Sequence, residues 1–134
     1  SDVCSSDLLQ QVPNITFVNG LEQEKFSFQM TLSEKLERKT YYEKQFRKIT
    51  AKAAEEDYDL LFFDELIYTI RAGLFDEQIL LDYLKKEKPE HLEVILTGQQ
   101  PSDELVELAD YVSEIRKIKH PFDQGLPARP GIEK

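Results

Sequence analysis

Leu60-Leu61-Phe62-Phe63-Asp64-Glu65, taken together with Val94-Ile95-Leu96-Thr97-Gly98, decides the fold. Each is a short apolar run that stops abruptly at small or acidic polar residues. Strands buried on both faces of a parallel sheet read this way, and such sheets hold their ligands just past the strands' C-terminal ends. The acidic pair Asp64-Glu65 is the type of group that holds or orients Mg²⁺ on a nucleotide phosphate. The two runs therefore imply a nucleotide-handling α/β domain. A G-x-x-x-x-G-K-[ST] phosphate loop is absent from the 134 residues.

Outward from these runs, helical and strand patterns alternate. Thr31 or Ser33 is the expected N-cap of a long helix with Glu34 in its first turn. Leu36, Phe46, Ile49 and Ala53 form its expected inward stripe, and the charges from Lys35 to Lys52 cover the solvated face. After the first strand, a short helix with Leu66, Ile67 and Ile70 is expected to stop at Gly73. Asp76 opens another helix, Glu77 to Lys86, which Pro89 ends, with Lys85, Lys86 and Lys88 where cations suit the dipole. Leu92 to Leu96 is the second strand, and Ser102 caps a helix running to Ala109. Ile15 to Val18 and Tyr111 to Ile118 are further expected strands, and from Lys119 the prolines and glycines imply an extended tail. Strand–helix–strand–helix order implies parallel pairing through right-handed crossovers.

Composition narrows the function classes. A length of 134 residues with 40% hydrophobic residues suits one globular domain. A net charge of −9 argues against a broad nucleic-acid or anionic-membrane surface, while leaving room for a small anionic ligand. The lone Cys4 excludes an internal disulfide and any multi-cysteine metal site, which is compatible with a cytoplasmic protein. No apolar run approaches the roughly 18 residues of a membrane span, so no membrane partner is expected. Residues 1–8 lack any pattern that continues into the expected strand at Ile15 and read as a non-native scar. Residues 9–134 then read as the C-terminal part of one domain that begins partway through. A sheet so shortened is expected to expose an apolar edge and face.

Several blocks, in order, resemble the ATP:corrinoid adenosyltransferase family. They are Phe63-Asp64-Glu65-Leu66, Val94-Ile95-Leu96-Thr97-Gly98, the run Glu107 to Ile115, Ile118-Lys119-His120-Pro121-Phe122, and the final Gly125, Ala128-Arg129 and Gly131-Ile132-Glu133. The resemblance implies a three-layer P-loop NTPase (RecA-like) fold with a mostly parallel sheet, truncated at its N-terminus. It implies transfer of the 5′-deoxyadenosyl group of ATP to the cobalt(I) of a corrinoid, with release of triphosphate. ATP, Mg²⁺ and corrinoid would be the ligands, a reductase or flavin the electron donor, and a homodimer the full-length assembly. Without its phosphate loop, the 134-residue chain by itself is expected to be inactive.

The same resemblance assigns residues. Glu65 and Asp64 would serve the catalytic Mg²⁺–triphosphate, with Glu65 the metal-facing carboxylate; the alternative is that both merely cap the following helix. Phe26 and Phe28 match the aromatic positions that displace the lower axial ligand of cobalt, against the alternative of ordinary core packing. Thr97, Gly98 and Gln99 fall where a strand end approaches nucleotide. The family usually has Arg at the third of these, and Gln brings neither charge nor a bidentate fork. Lys119, His120 and Arg129 match a segment that would fold back beside the ligands, against the alternative of a solvated surface and tail. A non-catalytic corrinoid-binding or regulatory relative is the main rival, and another RecA-like ATPase the third reading.

Overall fold

The long helix α1, Leu32–Glu55, is fixed at its start by a closed capping box. Thr31 Oγ1 accepts from the Glu34 amide at 3.2 Å, and Glu34 Oε2 accepts from the Thr31 amide at 2.8 Å. Such a cap stabilises a helix by about 1 kcal/mol. The computed structural model describes residues 9–19 and 30–127. After α1 come β1 (Leu60–Phe63), α2 (Leu66–Arg71), α3 (Glu77–Asp82) with a π-turn Tyr83–Glu87, β2 (Glu93–Leu96) and α4 (Asp103–Leu108).

β1 and β2 pair in parallel, with Leu60 opposite Glu93 and Phe63 opposite Leu96. The expected parallel crossover is therefore present, and the described chain is α/β with a two-stranded sheet. Strand alternation sends Leu61, Phe63, Val94 and Leu96 into the core. It leaves Leu60, Phe62 and Ile95 on the opposite face, 48%, 57% and 44% exposed, so the anticipated open apolar face is real.

Phe46, on the inward stripe of α1, joins these pieces. Its ring centroid lies 5.2 Å from Phe63 of β1, 5.2 Å from Phe75 and 5.4 Å from Tyr83, the last two edge-on. Phe75 reaches this cluster because α2 ends in a tight reversal. The amide of Gly73, at φ +74°, donates to the Ile70 carbonyl at 2.9 Å, and that of Leu74 donates to Thr69 at 3.0 Å. The reversal drives Leu74 and Phe75 inward. α3 then starts at an Asp76 cap whose own amide donates to Glu43 Oε1 of α1 at 3.2 Å. Ser102 caps α4 and donates to Glu77 Oε1 at 2.6 Å, tying the last helix to α3.

Of the two expected N-caps, Thr31 and Ser33, the structure uses Thr31, and the stop at Gly73, the cap at Asp76 and the cap at Ser102 stand where the sequence implies them. Three expectations fail. Leu36 is 65% exposed, because the core contacts of α1 begin only at Tyr42, beyond its first turns. Ile15 to Val18 and Tyr111 to Ile118 form no strand; Tyr111 and Ile115 are 95% and 98% exposed. Alternation alone makes no strand without a neighbour to complete the ladder, and neither segment has one among the described residues.

Residue contacts divide the chain into two units, and α1 to α4 with both strands lie in residues 25–112. The other unit takes residues 1–24 and 113–134. Its described part contains a 3₁₀ turn, Pro121–Gln124, and an ion pair of 2.8 Å between Lys117 and Asp123.

At the helix ends, hydrogen bonds from Lys52 and Lys86 hold the carboxyls of Glu56 and Asp82 below their usual range. Carboxylates so lowered contribute stability above their unfolded values and lose it as pH falls through the folded ones. Both pairs are solvent-exposed, and their contribution is small. Burial, with a lesser push from Glu87, raises the Tyr83 phenol, whose hydroxyl has no hydrogen-bond partner among the described residues. Two substitutions should therefore behave oppositely. Phe46→Ala should cost about 3–5 kcal/mol in a urea melt, whereas Tyr83→Phe, which removes an unpaired buried hydroxyl, should be neutral or stabilising.

Candidate functional site

Two strand ends lying side by side build the candidate site. Parallel pairing sets Phe63 beside Leu96, so Asp64-Glu65 and Thr97-Gly98 leave the sheet together. Thr97 links them through four hydrogen bonds. Its amide donates to the Phe63 carbonyl at 3.1 Å, and its carbonyl accepts from the Ile67 amide at 3.2 Å. Its hydroxyl donates to Asp64 Oδ1 at 2.8 Å and accepts from the Glu65 amide at 2.9 Å. Side chain and backbone of one threonine thus fix both carboxylate-bearing residues.

Glu65 adopts the left-handed conformation, with φ 56° and ψ 21°. For a residue with a β-carbon this costs about 1–2 kcal/mol, a strain that commonly marks functional positions. Glu65 stands at the N-cap position of α2, yet its side chain makes no capping bond, and Asp64 is engaged by Thr97 instead. Neither acid therefore caps α2 through a side-chain hydrogen bond. The Glu65 carboxylate is left exposed at the strand end.

Gly98 explains how the loop after β2 lies so close to α2. It has φ +142°, and a β-carbon there would come within 2.7 Å of Ile67 Cβ and 2.9 Å of the Tyr68 nitrogen. From that contact the chain runs along α2 to its last turn, where Arg71 Nη1 donates to Gln100 Oε1. Gln100 too is left-handed, at φ 54°. Neither Arg71 nor Gln100 stands out as a site residue in the linear sequence. The available signal is charge: Arg71 is the only lysine or arginine between Lys52 and Lys85.

Of the residues singled out by sequence, Asp64, Glu65, Thr97, Gly98 and Gln99 come together here, Gln99 exposed between Gly98 and Gln100. Lys119 and His120 belong to the other unit, just before its 3₁₀ turn, where the His120 carbonyl accepts from the Asp123 amide at 3.1 Å. Phe26, Phe28 and Arg129 lie outside the described residues. No group of three or more metal-ligating side chains occurs among the described residues, so the site offers a cation two carboxylates and no closed cage.

Apolar parallel strands ending together in Asp-Glu and Thr-Gly make this an α/β domain, a class in which ligands commonly bind at the carboxyl edge of the sheet. The family is then specific: the sequence model of ATP:corrinoid adenosyltransferase BtuR/CobO/CobP matches residues 2–133, and the chain belongs to that family. A corrinoid adenosyltransferase of Sinorhizobium sp is 35% identical over 91 residues, which is 68% of this chain and 42% of that protein. One from Escherichia coli is 36% identical over 80 residues, 60% of this chain and 40% of that protein. The Salmonella typhimurium relative is 36% identical over 75 residues, covering 56% and 38%. The chain thus spans about two fifths of the length of the curated relatives it matches. No helix of the described residues is long and apolar enough to cross a membrane.

The geometry makes two substitutions informative. Thr97→Val keeps the backbone bonds but removes both side-chain ones, and should release Asp64 and shift the Glu65 amide resonance with little loss of stability. Gly98→Ala should cost about 1–3 kcal/mol through overpacking and move resonances along the whole loop to Gln100. Unchanged spectra in both variants would contradict the clamp.

Proposed function

We propose that this chain supplies the strand-end half of a corrinoid adenosyltransferase site, in which the 5′-deoxyadenosyl group of ATP passes to the cobalt of a corrinoid with release of triphosphate. The supporting observation is the Thr97 clamp, which presents Asp64 and Glu65 at the carboxyl edge of a parallel pair in a chain of this family. In this reading Glu65 faces a Mg²⁺ on the triphosphate, and Asp64, oriented by Thr97, supports it. Two exposed carboxylates fit that ion, which takes one or two protein carboxylates and fills its remaining positions with water and phosphate oxygens. When bound, the ion neutralises charge on the triphosphate.

Around this centre the reading adds a three-layer RecA-like domain with the phosphate loop that these 134 residues lack. That loop would supply the backbone N–H cradle for the phosphates. Phe26 and Phe28 would press on the lower face of the corrinoid, and Lys119, His120 and Arg129 would border the ligands. A homodimer, a reductase or flavin donor and a cytoplasmic setting complete the proposal. Gln99, uncharged at the loop, favours a second reading: a relative that holds corrinoid without turnover.

Titration of the 134-residue polypeptide with MgATP tests this. With no phosphate loop in the chain, binding should be no tighter than about 1 mM, with no corrinoid-dependent release of triphosphate. Glu65→Gln should abolish the Mg²⁺ dependence of what binding remains. Micromolar Mg²⁺-dependent binding would overturn the inactivity of the isolated chain, and release of ADP in place of triphosphate would favour an ATPase.

A further inference from the structure

The strand-end site is strongly one-sided in charge. From Ala53 to Leu84 and from Pro89 to Ile115, the only lysine or arginine is Arg71. Asp64 and Glu65 occupy one side of the site, while Thr97, Gly98, Gln99 and Gln100 bring no charge on the other. A polyphosphate lying across these strand ends would meet two carboxylates and, from the elements that build the site, a single cation.

Arg71 is held in place for that contact. It sits in the last turn of α2, and its Nη1 donates to Gln100 Oε1, one residue from Gln99. The loop is anchored along α2 at both ends, by Thr97 and Gly98 at the first turn and by the Arg71–Gln100 bond at the last. The acceptor is an amide. A neutral acceptor orients the guanidinium without cancelling its charge and leaves most of its N–H donors available. Among the described residues Arg71 enters no ion pair, in a chain with 26 acidic side chains against 17 basic ones. Arg71 is exposed. A fixed, planar, uncompensated fork of donors is suited to bidentate contact with phosphate oxygens.

We infer that Arg71, steered by Gln100, is a phosphate-binding residue of this site and supplies the positive charge that the Thr97–Gln100 loop lacks. The inference rests on the triphosphate reading of the strand-end site and names the residue that would carry its electrostatics. Gln100 is then a positioning residue: it touches the guanidinium, and the guanidinium touches the anion.

The test is a nuclear magnetic resonance titration of the 134-residue chain with inorganic tripolyphosphate and Mg²⁺, following the amides of Glu65, Thr97, Gly98 and Gln100. Wild type should bind at about millimolar strength, and Arg71→Gln about tenfold more weakly, the loss of one charge-assisted pair. Arg71→Lys, which keeps the charge but not the fork, should fall between them. Gln100→Glu, which would neutralise the guanidinium in place, should weaken binding as much as Arg71→Gln. Equal affinity in wild type, Arg71→Gln and Gln100→Glu, with Glu65→Gln still abolishing the Mg²⁺ dependence, would overturn the assignment of Arg71 and leave the triphosphate site standing. Absence of any tripolyphosphate binding by wild type would bring down both. If Arg71→Gln does not fold, Arg71→Lys and Gln100→Glu decide the question by the same comparison.

Discussion

Burial of the Phe46 ring is the constraint on which this unit depends. One side chain of α1 meets β1 through Phe63, the segment after α2 through Phe75, and the π-turn after α3 through Tyr83. A two-stranded parallel sheet is a weak scaffold alone, because it needs a helical layer to cover its apolar face. α1 provides that layer through Tyr42, Phe46, Ile49 and Ala53, one turn of helix apart along the stripe. The reversal at Gly73 matters for the same reason, since it alone turns Leu74 and Phe75 back into the cluster.

The strand-end edge inherits its order from that packing. With β1 and β2 aligned, the residues just past each strand are forced into proximity, and Thr97 converts proximity into a defined geometry. The left-handed Glu65 is tolerated because the Thr97 hydroxyl accepts from its amide and Thr69 bonds to its carbonyl from both amide and hydroxyl. Local strain is held by a surrounding hydrogen-bond set, as expected where a side chain must be aimed outward and cannot be left to cap a helix. Gly98 serves the same end differently, by letting the loop backbone approach α2 to a distance that no β-carbon permits.

The charges at the strand ends are held by neutral groups. Several cations elsewhere stand beside carboxylates, as in Lys52–Glu56, Lys86–Asp82 and Lys85–Glu104. At the strand ends the pattern changes: the acids are held by a hydroxyl and the one arginine by an amide. Neutral partners preserve both charges for an incoming ligand, whereas ion pairs would quench them. Such an arrangement is what the proposed binding of a divalent cation together with a polyanion would require.

Much was legible in the residue order. Thr31, Asp76 and Ser102 announced helix starts because capping is local chemistry, and Gly73 announced a stop because few other residues adopt its φ. The runs Leu60–Phe63 and Leu92–Leu96 announced strands, the second of which begins one residue later, at Glu93, and the acids after the first run announced a candidate site. Family blocks pointed to the family for the same reason: they are contiguous strings. Expectations failed where a segment needed a partner that sequence does not display. Tyr111 to Ile118 alternates like a strand but has no ladder to join, and Leu36 continues a stripe beyond the point where the core ends. Tertiary structure alone decided that neither Asp64 nor Glu65 makes a side-chain cap bond, that Thr97 binds them across 33 and 32 residues of sequence, and that Arg71 meets Gln100. These are contacts between distant positions, created when the Phe46 core fixes α1 against the sheet, and no local pattern encodes them.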